Sequence, residues 1–124
     1  MTTKNELFEH IKKNFGIIPD YPFKEDIAIF RHTNSRKWFA AVMLQLDREK
    51  LGLKGTKKCD VVNLKCHPAL SGTYRMMPGI LPGYHINKEH WVTVLLDGTV
   101  DPETLNDLVK MSYDLTASKS RKKR

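Results

Sequence analysis

The sequence predicts a two-layer α+β domain, a largely antiparallel five-stranded sheet with helices on one face, in the order α-β-β-β-α-β-β-α. Three observations predict it. Apolar residues near both ends of the chain recur at helical spacing on one stripe each. The middle holds short runs of β-forming residues. Turn residues divide those runs closely, which favours antiparallel neighbours over crossover connections. With 124 residues, one domain over 1–118 is the default, followed by a basic tail at 119–124 read as disordered.

The elements follow in order. Thr3 and Glu6 fit a capping box, and Leu7, Phe8, Ile11 and Phe15 then share one helical face up to Gly16, a natural stop. This predicts a helix over 4–15. Pro19, Asp20 and Pro22 break the chain. Residues 27–30 and 37–46 read as two strands of a hairpin around the turn residues 33–36. Residues 47–58 form a polar connection containing glycine, and 61–66 a third strand. Pro68 suits the first turn of a short helix over 69–77, weakened by Gly72 and stopped by Pro78. Pro82-Gly83 reads as a turn. Residues 84–86 and 90–96 then read as two strands around Asn87, Lys88 and Glu89. Asp101 before Pro102 is a strong helix start, and Leu105, Leu108, Val109, Ser112 and Leu115 line one face of about four turns.

Composition narrows the function classes. No apolar run is long enough to span a bilayer, and the first fifteen residues mix Lys and Glu into their apolar positions, unlike an export signal. A cytoplasmic protein with two reduced thiols, Cys59 and Cys66, is expected. The formal charge is +7, but the tail carries five of those charges. The rest is polarised. Residues 31–88 hold 11 Lys/Arg against 3 Asp/Glu, while residues 89–118 are net −5. A basic middle can present a positive field to an anionic partner, or be an ordinary solvated face.

Several segments occur here in the order seen in one family. They are Lys37-Trp38, Asn63 and Lys65 before Cys66 and Pro68, the run Tyr84, His85, Asn87, Lys88, His90, Trp91, then Leu96-Asp97-Gly98 and Ser112-Tyr113-Asp114-Leu115. The chain resembles the MmcQ/YjbR family from about residue 20 to residue 118. The run from Tyr84 to Trp91 is the specific part. The resemblance implies a compact α+β fold similar to secretion chaperones. It also brings the double-wing DNA-binding mode suggested for the family. His67 departs from the family pattern, in which an acidic residue often precedes the proline, and it is a weaker helix cap than Asp.

Two clusters carry candidate chemistry. In Tyr84–Trp91, lysine suits phosphate, Asn87 suits base edges or sugar, and the rings offer stacking faces. The structural alternative makes this a hairpin, with Trp91 in the core and Asn87 in a left-handed turn. Strand alternation places His90, Val92 and Val94 on one face and Trp91, Thr93 and Leu95 on the other. Around the first hairpin, Arg31, His32, Arg36, Lys37 and Trp38 form a basic tip that suits a wing. Lys54, Lys57 and Lys58 extend the same stretch. Among Cys59, Cys66, His67, His85 and His90, the cysteines have six residues between them, wider than a zinc pair, and His85 and His90 have a zinc-like four between them but on strands rather than a helix, so no metal or cofactor is expected. No phosphate-binding glycine loop or nucleophile elbow occurs, and no catalytic residues are expected.

The sequence thus points to DNA or RNA, held through phosphate contacts from Arg31, Arg36, Lys37, Lys54, Lys57, Lys58, Lys65, Arg75 and Lys88, with Asn87 helping to position it. The alternative is a protein-interaction or chaperone-like module with a protein partner. Neither reading involves a membrane.

Overall fold

Local signals set the helices. In the computed structural model, which describes residues 3–117, α1 spans Lys4–Phe15 and opens with the capping box. The Glu6 amide donates to Thr3 Oγ1 at 3.4 Å, and the Thr3 amide donates to Glu6 Oε1 at 2.9 Å. Gly16 ends the helix at φ 69°, in the left-handed region that glycine enters at no steric cost. α2 spans Pro68–Arg75, two residues shorter than expected at its end. His67 does cap it, its Nδ1 accepting from the Ala69 amide at 3.3 Å. α3 spans Pro102–Thr116, its first turn held by the Asp101 carboxylate on the Thr104 amide and hydroxyl.

The strands are β1 (Ile27–Arg31), β2 (Trp38–Asp47), β3 (Lys58–Lys65), β4 (Ile80–Pro82) and β5 (Trp91–Leu95). They form one sheet in the order β1-β2-β3-β5-β4, every neighbouring pair antiparallel. The element order is the expected one. One strand is displaced. Residues 84–86 are not extended, and β5 pairs instead with Ile80–Pro82, ahead of Gly83. Pro82 is tolerated because β4 is an edge strand that needs no donor there. His85 takes φ 57°, so the chain cannot run straight through 84–86. β3 begins at Lys58 rather than at residue 61, and the connection before it holds one short 3-10 turn, Arg48–Leu51. The basic tail at 119–124 lies outside the described residues.

Side chains alternate across the sheet and sort its two faces. Ala28, Phe30, Ala40, Val42, Val62, Leu64, Val92, Val94 and Ile80 face the helices. There they meet Leu7 and Ile11 of α1 and Leu105, Leu108 and Val109 of α3. Phe39 completes this core at 0% exposure, with its ring 4.9 Å from Tyr113 and 6.0 Å from Phe15. His32, expected at the basic tip, is buried here too. Its Nε2 lies 2.8 Å from Thr116 Oγ1 and its ring 4.3 Å from that of Tyr113. Alternation along β1 carries it to the same face as Ala28 and Phe30, and the bulge opposite, whose extra residue is Phe39 of β2, brings that ring in beside it.

The opposite face carries a smaller cluster, Cys59, Val61 and Leu95, packed by Met43, Leu46, Leu51, Leu53 and Leu81. Here loops take the place of helices.

Candidate functional site

The ten positions singled out for nucleic acid do not form one patch. Arg36 and Lys37 sit at the β1–β2 turn. Lys54, Lys57 and Lys58 sit at the β2–β3 connection. The ten residues of β2 separate the two groups, which is roughly 30 Å at about 3.4 Å per residue. Lys58 is also engaged: its Nζ lies 2.6 Å from Asp47 Oδ1. That contact holds the Asp47 carboxyl below its usual range.

The segment 83–90 folds back over the open face and is held there by buried polar groups. Asn63 and Thr93 are directly opposed on β3 and β5, both almost fully buried. Asn63 Nδ2 donates to the Tyr84 carbonyl at 3.0 Å, and the Tyr84 amide donates to Thr93 Oγ1 at 2.8 Å. The Thr93 hydroxyl donates to Asn63 Oδ1. Together they fasten one peptide to the sheet. Further along, Asn87 Oδ1 accepts from the Glu89 and His90 amides at 2.8 and 3.3 Å. Lys88 Nζ donates to the Gly83 carbonyl at 2.9 Å, and Arg75 Nη1 to the Lys88 carbonyl at 3.3 Å. The left-handed residue of this loop is His85, not Asn87, and its ring packs 4.1 Å from Tyr84. Most of the specific run therefore builds its own loop.

At the β1–β2 end the open face presents a different row. Arg31 pairs with Trp38 across β1 and β2, and Lys65 pairs with Trp91 across β3 and β5. The β2–β3 ladder stops at Ala40 and Leu64. Past that point Ser112 of α3 wedges between the strands, accepting from the Lys65 amide at 2.8 Å and donating to the Phe39 carbonyl. Arg31, Trp38, Lys65 and Trp91 thus lie on four neighbouring strands at one end of the sheet. Trp91 is not in the core as the hairpin alternative had it. Both tryptophans are half-buried and belong to neither apolar cluster. Phe23, 59% exposed, meets Trp38 edge-on at 5.7 Å. The Arg31 guanidinium lies 6.0 Å from the Trp38 ring and is paired with Asp20 at 3.2 Å. Arg36, Lys37 and Lys65 make no ion pair among the described residues. Beside them, Arg31, Arg36, Thr33 and residues 16–20 line a depression of about 310 Å³.

Other groupings offer less chemistry. Burial pushes both the Cys59 and the Cys66 thiol up, away from thiolate. His67 beside Cys66 spends its Nδ1 on the helix cap. Among the described residues no three His, Cys, Asp or Glu side chains could hold a metal ion together. No helix among them is long and apolar enough to cross a membrane. Sequence reasoning missed Phe23 altogether. A strand and a proline-rich approach to it give no local sign that they end beside the same tryptophan.

The comparisons with known proteins bear on the whole arrangement. The family model described as YjbR matches residues 15–115. The chain belongs to the YjbR family. It is 43% identical over 119 residues to the uncharacterised protein YyaQ of Bacillus subtilis (strain 168), covering 94% of this chain and 99% of YyaQ. A shorter match, 36% over 62 residues, joins it to YjbR itself from Escherichia coli (strain K12), over 49% of this chain and 52% of that one. A crystal structure of a Pseudomonas syringae protein has the same YjbR fold at a TM-score of 0.88 and 39% identity, covering 93% and 99% of the two chains. A Deinococcus radiodurans protein with a DUF419 domain follows at 0.70 and 28%, covering 93% and 78%.

Proposed function

We propose that this YjbR-family chain is a nucleic-acid-binding module that works by binding rather than catalysis. The observation that carries the reading is the convergence of Arg36, Lys37 and Lys65, none ion-paired among the described residues, with Trp38 and Trp91 at one end of the open sheet face. Lysine and arginine hold phosphates, and partly exposed rings suit bases. The β1–β2 turn and the segment 83–90 both lie at this end of the sheet, where a double-wing mode would use them. Asn87, Lys88 and Arg75 shape the second of these loops. Arg31 contributes less, because Asp20 already offsets its charge. Lys54 and Lys57 lie too far off to share the same short stretch of backbone. Two free, buried thiols suit the reducing cytoplasm.

The test is fluorescence anisotropy of labelled nucleic acid against salt, on the full chain and on a version ending at Ser118. Binding is expected to fall steeply with salt and to survive removal of the tail. Lys37→Glu with Lys65→Glu is expected to weaken it on the order of a hundredfold and to lower the salt slope by about one per lysine. Unchanged affinity in that double variant would falsify the reading.

A second reading, a protein-docking module, draws on Leu70 in the first turn of α2 and on Met76 and Met77 just past its end, which are 42%, 86% and 37% exposed. It calls for association that barely responds to salt.

A further inference from the structure

We infer that the occupant of the open face is a single strand of nucleic acid, its bases stacked on Trp38 and Trp91 and its backbone held between them by Lys65. This rests on the nucleic-acid reading above and names its substrate class. Two features favour a single strand over a duplex, and a third marks the surface as built. First, the two indoles stand on β2 and β5, with β3 between them. A whole strand, splayed from β2 by Ser112, lies between them, so each can take a separate base. A duplex keeps its bases stacked inside and offers these rings nothing. Second, the cation lies within the aromatic row rather than around it. Lys65 is directly opposite Trp91, and its neighbour across the splayed ladder is the strand that carries Trp38. Phosphate and base contacts thus alternate on one surface, the pattern by which sheet and barrel proteins hold single strands.

Third, the surface is built rather than incidental. Gly83 lies against Trp91: a Cβ at that position would meet Trp91 Cβ at 3.2 Å, the Trp91 carbonyl at 3.1 Å and Ile86 Cγ2 at 2.8 Å. A side chain there would crowd Ile86 and the Trp91 backbone, so glycine lets the loop run close against β5 where Trp91 stands. On the other side, Phe23 and Arg31 brace Trp38.

The chain has two tryptophans in all, and both are in this row, so its selectively excited tryptophan emission reports the site alone. The experiment titrates the full chain at low salt with an oligothymidylate of about a dozen nucleotides, an abasic phosphodiester strand of equal length, and a duplex. The oligothymidylate is expected to quench the emission and to bind roughly tenfold or more tighter than the abasic strand. Trp91→Ala is expected to remove most of that difference, and Trp91→Phe to restore part of it, with abasic binding unchanged in both. Equal affinity for the two single strands, or tighter binding of the duplex, overturns the stacking inference and leaves the phosphate-binding reading standing. Absence of binding by all three at low salt overturns both. An oligouridylate arm tells RNA from DNA within the same inference.

Discussion

The two faces of the sheet are covered in different ways, and the contrast teaches where a site can form. On one face α1 and α3 seal a continuous apolar core, and the aromatic residues Phe30, Phe39 and Tyr113 pack ring to ring. On the other, loops 18–26, 48–57 and 83–90 cover only part of the surface. A helix brings a whole apolar stripe to a sheet, whereas a loop must satisfy its own backbone groups as it crosses. The open face therefore carries a buried polar clamp, Asn63 with Thr93, and leaves two tryptophans half-covered at one end.

Four measurements break or sharpen this contrast. The largest effect belongs to the sealed face. Phe39→Ala is expected to cost about 3–5 kcal/mol, read from urea unfolding, because it opens a cavity among rings that cannot collapse. A loss under about 1 kcal/mol would mean the two faces are packed alike. Next comes the wedge that joins the faces. Ser112→Ala leaves the Lys65 amide and the Phe39 carbonyl buried without their shared partner, at about 2–3 kcal/mol. It should also alter the emission of the nearby tryptophans. Trp91→Ala, by contrast, is expected to cost about 1 kcal/mol or less in unfolding, as for partly exposed positions, while its effect on binding is large. A Trp91 loss as large as that of Phe39 would make it a core residue.

The smallest effect is on pH dependence. Burial raises Cys59, Cys66 and Tyr74 in the folded chain. All three are acids, so the unfolded chain releases their protons first as pH rises. Stability is then full below the ordinary thiol range, about 8.5, and falls as pH climbs above it. Urea midpoints at neutral and alkaline pH should show this decline, and Cys66→Ala should shrink it. A midpoint that rises with pH would contradict the burial of these groups.

The two ends of β2 add a second lesson. Lys37 and Lys58 bracket one strand and look like one basic stretch in the sequence. In the fold they are a strand's length apart, and Lys58 is neutralised by Asp47. Charge counted along a chain overstates a patch whenever an extended strand lies inside the count.

The sequence by itself determined the helices, the order of elements along the chain and the alternation of β5. Each depends on residues within a few positions: Thr3 with Glu6, Asp101 with Thr104, and the period of two from His90 to Leu95. It did not locate the partner of β5, because Ile80–Pro82 is only three residues and the tighter clue, Tyr84–Ile86, belongs to a loop fastened by Asn63 from 21 positions away. Nor did it show that His32 turns inward to Thr116, 84 positions on. Only the tertiary structure decided that Arg31, Trp38, Lys65 and Trp91 share a surface. Strand pairing sets that proximity. It depends on register and on the Ser112 wedge, which are long-range packing choices that no short window of sequence encodes.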